Sequence, residues 1–422
     1  MRPAEVEELR QHSHEIDIPA ALKLEAEIRH DLMAELKTYA AQCPQAGRIL
    51  HLGATSMDIE DNADALRIQQ SLCLLLHHLH RLLNSLAERI QSTADLPIMA
   101  FTHLQPAEPT TLGYRLSSYA QDLLSDAQAL RQIHQDLRGK GFKGAVGNAA
   151  AYAELIGEAQ LDAFEQRLSD HLGLKFFPIT TQTYPRKQEY TLLSALAGLG
   201  GSLYKFCFDL RILQSPPIGE WSEPFGERQV GSSAMPFKRN PIQAEKVTSL
   251  ARLLAQLPGV AWQNATHSLL ERTLDDSANR RSILAEGFLI CDEILTTTHK
   301  LISGLQINRS AVQRNLDAYG PFAATERLLM ALVKAGADRQ EMHEHLRQHA
   351  LAAWQAVQNG NANPLTEALL SDPLLAAHLP AEQMQTILNA EQHLGFAPAR
   401  ARHMAALLHQ SLEEGLPEAC NL

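Results

Sequence analysis

The chain has 422 residues, of which 45% are hydrophobic and 20% are charged, and its formal net charge is −11. This length allows a large hydrophobic core and more than one folded unit. The acidic balance, with no long basic run to offset it, argues against a general nucleic-acid or membrane-surface binder. Residues 1–10 carry charges of both signs and no apolar run, so we do not expect a signal peptide.

Apolar residues recur at helical spacing through most of the chain. The stripes over residues 72–90 and 116–137 predict two long amphipathic helices that pack nearly parallel in a bundle. A third helix, over about residues 190–213, is apolar on more than one face, and we expect it at the centre, facing other subunits. Polar residues and glycines interrupt its most apolar part, which favours a buried core helix over a membrane span. The one β element that we predict is a short hairpin near residues 176–184.

Segments rich in glycine, proline and polar residues separate these helices. They lie at residues 43–53, 97–109, 139–147, 216–241 and 320–322, and we predict that all five are non-helical. Most of them hold polar or charged residues without an evident packing role, so we expect the chemistry there. From about residue 307 onward, Gly360, Pro364, Pro373 and Pro380 divide the chain into shorter helices, which predicts a separate small helical domain.

Cysteine and histidine usage bears on compartment and on metals. The five cysteines are scattered and odd in number, which is typical of a reducing compartment and predicts neither a disulfide framework nor a zinc site. We therefore expect a cytoplasmic protein that needs no metal and no cofactor. Two groups of histidines are interpreted as helix-surface residues rather than metal ligands: His77, His78 and His80, and His343, His345 and His349.

Residues 231–241, GSSAMPFKRNP, are the most informative segment. Gly231 and the paired serines favour a flexible loop. Asn240 and Pro241 then predict the N-cap and the first position of a helix. A mobile, cationic, hydroxyl-rich loop that leads into a helix N-terminus is suited to binding anions. A capped surface loop without function would have the same composition, and composition alone favours that alternative.

This segment resembles the GSSxMPxKxNP loop of the fumarase/aspartase superfamily. Other segments resemble that superfamily in the same order along the chain: HLGATS at 51–56 with Asp61 and Asn62, THLQPA at 102–107, and KGAVG at 143–147. QTYPRK at 182–187 and ERTLDDSANRR at 271–281 are similar to adenylosuccinate lyases rather than to fumarases or argininosuccinate lyases. The resemblance runs from about residue 29 to about residue 347, and more loosely to the end.

The resemblance implies an all-α, fumarase/aspartase-like fold. A central long-helix bundle domain, residues 55–307, would be flanked by two smaller helical domains, residues 1–54 and 308–422. It also implies a homotetramer in which three subunits contribute to each active site.

The implied reaction is a β-elimination of fumarate across a carbon–nitrogen bond, which needs a base, an acid and dense positive charge. By resemblance Ser232 is the base, and its hydroxyl would need backbone N–H groups and a cation, such as Lys238, to lose its proton near neutral pH. His103 is the acid, because imidazole titrates near the working pH. Glu245 matches the glutamate that orients this histidine.

The remaining site residues would hold the carboxylates and the phosphate of a succinyl-nucleotide. They are Arg29, His30, Asp31, His51, Thr55, Ser56, Gln182, Asn240, Lys246, Arg272, Ser277 and Arg281. Arg272 and Arg281 are the strongest of these, since guanidinium groups suit carboxylate and phosphate. The alternative is that residues 272–281 form a helix face with salt bridges to Asp275 and Asp276.

Some features depart from the family pattern. Family members carry further N-terminal residues, including an Arg-Tyr pair that contacts the nucleotide phosphate, and the first thirty positions here contain no such pair. Either the phosphate is bound without it or the natural start lies upstream. Lys246 stands where close relatives have arginine, and Asn148 where they have threonine; lysine keeps the charge but loses bidentate geometry.

Three functions follow from these observations. The first is cleavage of adenylosuccinate to AMP and fumarate, and of succinyl-aminoimidazole-carboxamide ribotide (SAICAR) to AICAR. The second is a related lyase with another amine, such as argininosuccinate lyase, against which the 271–281 segment argues. The third is a helical scaffold without catalysis, against which the joint presence of Ser232, Lys238, His103 and Glu245 argues.

Overall fold

The computed structural model describes residues 2–417 and residue 420. Helices make up most of this part of the chain, together with a few short strands. The first half contains α1 Pro3–His12, α2 Ile18–Ile28, α3 Asp31–Gln42, α4 Ser56–Ser92, β1 Pro97–Thr102, β2 Gln105–Thr111, α5 Leu112–Asp136, α6 Ala150–Ile156, α7 Leu161–Leu172 and α8 Lys187–Leu213. The second half contains β3 Trp221–Ser222, α9 Ile242–Leu254, α10 Leu257–Thr266, α11 Ser277–Ser303, β4 Gln306–Ile307, α12 Arg309–Lys334, α13 Arg339–Gln358, α14 Leu365–Leu370, α15 Pro373–Ala376, α16 Ala381–Leu388 and α17 Ala397–Glu413. Short 3₁₀ turns lie at Gly47–Ile49, Glu158–Gln160 and Ala390–Gln392.

The predicted long helices form the core of the molecule. α4 runs for 37 residues and packs against α5, α11 and α17. α8 lies among α5, α9, α10 and α11, as expected for a central helix. The apolar stripe of α4 is buried along its whole length, from Leu72 to Ile90. The periodicity therefore predicted these helices and their buried faces correctly, and the predicted all-α fold with a long-helix bundle is confirmed.

α8 is also the one helix among the described residues that is long and apolar enough to cross a membrane. Of the residues in its most apolar 18-residue window, 44% are buried within the protein. The helix packs against α5, α9, α10 and α11. A core helix passes the same test of length and composition, and its packing here is that of a core helix.

The β-hairpin predicted near residues 176–184 is wrong; the antiparallel hairpin is β1–β2. Apart from a local hydrogen bond from Thr181 N–H to the Thr183 carbonyl at 3.2 Å, residues 176–184 pair with other parts of the chain. Phe176 forms a parallel bridge with Gly139, and the backbone N–H of Tyr184 donates to Asp61 Oδ2 at 2.8 Å. The sequence shows which residues are extended, but not that their partners lie so far away along the chain.

The predicted break at residues 320–322 is also wrong, because Gly320, Pro321 and Phe322 lie inside α12. Proline removes a helical hydrogen bond, which favours a break. Here α12 is held on both sides of Pro321: Leu316 is buried in the central core and Leu328 in a second core formed by the C-terminal helices. Gly320 allows close packing, since a Cβ atom there would lie 2.7 Å from the Cβ of Ala390.

The chain end returns to the central bundle. α17 packs against α4 and α5, and Cys420 beyond it forms a disulfide with Cys73 of α4, with the Cα atoms 5.1 Å apart. The expectation that the cysteines form no disulfide is therefore wrong. The two residues are 347 positions apart, and it is the packing of α17 that brings them together. His134 Nε2 lies 3.3 Å from Cys73 Sγ, while Cys43, Cys207 and Cys291 are free and buried.

Candidate active site

Nine of the predicted substrate-binding residues line one cavity of about 910 Å³. They are Arg29, His30, Asp31, Thr55, Ser56, Gln182, Arg272, Ser277 and Arg281. These residues come from four separate segments of the sequence, so their convergence is a property of the fold. The volume is within the usual range for sites that bind small molecules. Three guanidinium groups line the cavity together with the carboxylates of Glu25, Asp31 and Glu60, so an anionic ligand would compete with these acids for the arginines.

Three helices begin at this cavity. Asp31 is the first residue of α3, Ser56 of α4 and Ser277 of α11, and all three line the cavity. The first turn of a helix carries unpaired N–H groups and the positive end of the helix dipole. Helix N-termini and arginines are groups that bind anions, although in α3 the N–H groups of Leu32 and Met33 already bond to the side chains of Asp31 and His30.

A buried chain of ion pairs holds Arg272 in place. Its Nη1 donates to Asp276 Oδ1 at 2.7 Å, and the other oxygen of Asp276 accepts from Arg186 Nε at 2.6 Å. Arg186 Nη1 in turn donates to Asp61 Oδ1 at 2.9 Å. Burial alone would raise the pKa of Asp276, but Arg186 and Arg272 outweigh it and hold the pKa below its ordinary value. The carboxylate therefore stays ionised and fixes the direction of a cavity arginine.

Arg281 is held by a separate ion pair. Its Nη2 donates to Asp31 Oδ2 at 2.8 Å, so the pair joins α11 to α3 at the cavity. Of the alternative, a helix face with salt bridges to Asp275 and Asp276, only the Arg272–Asp276 salt bridge is found, whereas Arg281 pairs with Asp31. Arg272 itself lies in the loop before α11. Both arginines line the cavity whether or not they are paired.

A second buried network supports the 51–56 segment. Asp58 accepts from the backbone N–H of Thr55 at 2.9 Å and of Gly144 at 3.1 Å, and it also binds the ammonium group of Lys140. Both charged side chains are fully buried. Because an unpaired buried charge is costly, this pairing ties the cavity residue Thr55 to the 139–147 turn. Gly144 of the segment 143–147 therefore helps to hold the cavity residue Thr55 through Asp58, without lining the cavity itself.

The GSSAMPFKRNP segment forms an irregular, exposed loop. Its base is closed by Asn240, whose Nδ2 donates to the Gly231 carbonyl at 3.1 Å. Asn240 is not the helix cap that we predicted: α9 begins at Ile242 with Pro241 as its N-cap. A Cβ atom at Gly231 would lie 2.2 Å from the carbonyl oxygen of Lys238, so only glycine fits there without a shift of the backbone.

The Ser232 hydroxyl oxygen lies near two backbone donors. It accepts from the N–H of Met235 at 3.2 Å and from that of Ala234 at 3.4 Å. Hydrogen bonds of this kind stabilise the charged form of a group, and an alkoxide would need them. The loop thus supplies the N–H groups required of a serine base.

His103 occupies the tip of the β1–β2 hairpin. It and Leu104 form a two-residue turn with φ values of 54° and 59°, the left-handed conformation that such turns require. His103 is exposed and lies in a different surface depression, with Tyr114 and Lys205. The chain therefore carries this histidine on a rigid, separate arm.

Three other predicted residues also lie outside the residues that line the cavity. Glu245 on α9 is half-exposed, with Arg211 Nη2 3.8 Å from its Oε1. Lys246 forms an ion pair with Glu293 of α11. His51 precedes the cavity residues of its loop, and burial lowers the pKa of its ring. The cavity lining thus includes nine of the twelve predicted binding residues and none of His103, Ser232, Lys238 and Glu245.

Left-handed backbone conformations mark the same regions. Arg29, His51 and His103 are among the few non-glycine residues with positive φ in the described part of the chain. Such conformations cost energy and cluster at functional sites. The resemblance predicts these three residues from their positions in family-like segments, and the backbone conformation is an independent observation.

Sequence inspection missed the supporting roles of Arg186, Lys140 and Asp58, and it gave a salt bridge to Asp276 only as an alternative to ligand binding. The first three lie within or beside segments that resemble the family, but nothing in their spacing shows that they are buried partners of site residues. The available signal was a charged residue within or beside a segment that resembles the family. That signal does not distinguish a buried supporting residue from a surface residue.

Comparison with known proteins identifies the family. A sequence model of the family described as "Lyase" matches residues 15–254, and one described as "Adenylosuccinate lyase C-terminus" matches residues 321–403. The adenylosuccinate lyase of Schistosoma mansoni is 39% identical over 374 residues, covering 87% of this chain and 78% of that protein. The adenylosuccinate lyase of Saccharomyces cerevisiae is 37% identical over 400 residues, covering 93% and 82% respectively.

Solved structures share the fold. A fumarate lyase from Mesorhizobium sp. BNC1 superposes with a TM-score of 0.82 at 24% identity, covering 96% of this chain and 90% of that one. A 3-carboxy-cis,cis-muconate lactonizing enzyme from Pseudomonas putida gives the same TM-score at 25% identity, covering 96% and 89%. These likenesses show the architecture, while the sequence relatives show the family. The chain belongs to the adenylosuccinate lyase family.

Proposed function

We propose that this protein cleaves adenylosuccinate to AMP and fumarate, and SAICAR to AICAR and fumarate, as a carbon–nitrogen lyase of purine nucleotide biosynthesis. The observation that carries the proposal is the cavity in which Arg29, Arg272 and Arg281 meet the first turns of three helices. A succinyl-nucleotide has two carboxylates and a phosphate, and such a ligand matches this concentration of positive charge.

The catalytic groups act in two proton transfers. Ser232, activated by the N–H groups of Ala234 and Met235 and by the charge of Lys238, removes the proton from the carbon next to a carboxylate. The resulting negative charge spreads into that carboxylate, which the cavity arginines stabilise. His103 protonates the departing nitrogen, and Glu245 holds the imidazole in position. Closure of the loop at residues 231–240 excludes water during the reaction.

We further propose that the active form is a homotetramer with sites shared between subunits. The proposal is supported by the cavity lining, which includes neither His103 nor the Ser232 loop, so that neighbouring chains could supply them. Large apolar side chains are exposed on the helices of the central bundle, as expected where further subunits pack. They include Leu74 on α4, Phe208 on α8, Leu253 on α9, Trp262 on α10 and Leu289 on α11.

The expected partners are therefore small succinyl-nucleotides and further copies of this chain, with no nucleic acid and no membrane. A cytoplasmic location is part of the same proposal. It predicts that Cys73 and Cys420 are reduced inside the cell and form their disulfide after lysis. Rapid alkylation of thiols in intact cells, followed by mass spectrometry, measures the fraction of each state.

The activity is tested by the ultraviolet absorbance of the purified protein mixed with adenylosuccinate, with fumarate measured separately. Wild-type protein is expected to consume the substrate and release fumarate, and Ser232→Ala is expected to lose at least 1,000-fold in kcat, roughly the scale of removing a central catalytic group. Ser233→Ala is the matched control, since it removes the neighbouring hydroxyl and should stay near wild type.

A substrate panel distinguishes the alternatives. Cleavage of argininosuccinate but not of adenylosuccinate would identify the related lyase. A folded tetramer that cleaves none of adenylosuccinate, SAICAR and argininosuccinate would favour the scaffold and contradict the proposal.

A further inference from the structure

Two histidines on α13 face the same carboxylate in the C-terminal region. His349 Nε2 lies 2.7 Å from Asp372 Oδ2, and His345 Nδ1 lies 3.7 Å from the same oxygen. The two histidines are four positions apart, so both project from one face of the helix. The three ligand atoms all lie within 4.8 Å of one another. Two imidazoles and a carboxylate thus converge on one point.

The carboxylate is fixed by its own surroundings. Asp372 is the N-cap of α15, and its Oδ1 accepts from the backbone N–H of Leu374 at 2.8 Å, which leaves Oδ2 to the histidines. The side chain of Asp372 is 9% exposed and those of His345 and His349 are 40% and 29% exposed. The carboxylate is therefore held in one orientation, and the histidines beside it remain partly open to solvent.

We propose that His345, His349 and Asp372 form a binding site for a divalent transition-metal ion such as Zn²⁺. Imidazole nitrogen and carboxylate oxygen are ligands that zinc takes at about 2.0–2.2 Å. The ligands of a tetrahedral centre with these bond lengths lie roughly 3.3 Å apart, and the observed separations of 2.7 Å and 3.7 Å from Asp372 Oδ2 bracket that value. The ion displaces the proton of the His349–Asp372 hydrogen bond, and water completes its coordination.

The site is separate from the lyase chemistry. None of its three residues lines the cavity of the binding residues. A bound ion joins α13 to the start of α15, which are 23 residues apart at the coordinating positions. An ion that binds the folded chain and not the unfolded chain raises the unfolding temperature in proportion to the logarithm of its concentration above Kd. The site therefore acts on the stability of the C-terminal helices.

The test is a zinc titration of the full-length protein after removal of metals by chelation. Isothermal titration calorimetry gives stoichiometry and Kd, and the unfolding temperature with and without Zn²⁺ gives a second readout. The variants are His349→Ala and Asp372→Asn; asparagine keeps the helix cap, so the second variant should still fold. The matched control is His343→Ala, on the same helix but beside Lys334 and Arg339, which line a different groove.

Wild type and His343→Ala are expected to bind one zinc per chain and to unfold at a higher temperature with zinc. His349→Ala and Asp372→Asn are expected to bind at least tenfold more weakly and to lose that shift. Cys73→Ser is included because Cys73, His134 and Cys420 form another cluster of potential ligands. It should bind zinc like wild type. Absence of binding by wild type at 100-micromolar zinc, wild-type binding by His349→Ala, or loss confined to Cys73→Ser would overturn the proposal.

Discussion

Asp276 is the residue through which the buried ion pairs act on the cavity, and Asp276→Asn tests that role. The carboxylate is 3% exposed and binds Arg186 through one oxygen and Arg272 through the other. Asparagine keeps the shape and one acceptor oxygen but removes the charge. We expect Arg272 to lose its fixed orientation, so that substrate binding weakens although the variant still folds.

The two arginines should respond differently. Arg186 keeps Asp61 at 2.9 Å and Glu189 at 3.5 Å, so the loss of folding free energy should be about 1–3 kcal/mol, below the 3–5 kcal/mol typical of breaking a buried pair outright. Arg272 loses a charge-assisted hydrogen bond of 2.7 Å, worth about 1.5–3 kcal/mol. If that orientation is used in binding, KM rises about 10- to 100-fold.

The assay is steady-state cleavage of adenylosuccinate, with thermal unfolding of the same preparations. Asp275→Asn is the matched control, because it removes a neighbouring carboxylate that is exposed to solvent. We expect that control to keep KM within about twofold. An unchanged or lower KM in a folded Asp276→Asn protein would refute the idea that Asp276 orients Arg272.

Further predictions concern the loop, the disulfide and a buried histidine. Gly231→Ala should reduce kcat at least tenfold with little change in unfolding temperature, because its Cβ atom would displace the loop. Gly259→Ala is the control and should be neutral, since a Cβ atom there would have nothing within 4 Å. Equal activities of the two variants would contradict this prediction. Air-oxidised, denatured protein should show three free thiols rather than five, and a count of five would refute the disulfide. Reductant should lower the unfolding temperature, because loss of the disulfide reduces the free energy of unfolding by about 2–5 kcal/mol. Cys73→Ser should not respond to reductant. Burial lowers the pKa of His51 below its ordinary value of 6.5, so the unfolded chain binds more protons and stability falls as pH drops below about 6.5. His51→Gln should flatten that part of the profile of stability against pH. An unchanged profile would contradict the assignment.

Periodicity in the sequence was sufficient for most of the fold. The stripe from Leu72 to Ile90 and the apolar faces of residues 190–213 gave two central helices, because burial of one helical face depends on local spacing. The errors concern partners that are far apart in sequence. Residues 176–184 bond to Gly139 and Asp61, and Cys73 meets Cys420, and no local pattern carries that information.

The candidate site divides in the same way. The resemblance named Arg272 and Arg281, and the fold places both at one cavity with Gln182 and Ser277. It did not identify Asp276 as the residue that holds Arg272, because that role depends on burial and on three separate segments meeting. The Asn240 prediction failed for a local reason: its side chain closes the loop to Gly231, and the helix begins two residues later.

The central claim is that the cavity and the catalytic loops of different subunits form one active site. Mixing two inactive variants, His103→Ala and Arg272→Met, by refolding them together tests it most directly. The account predicts that each variant alone is nearly inactive and that mixed tetramers regain cleavage of adenylosuccinate, because some sites then receive an intact His103 from one chain and an intact Arg272 from another. Mixed tetramers that form but stay as inactive as the separate variants would contradict it.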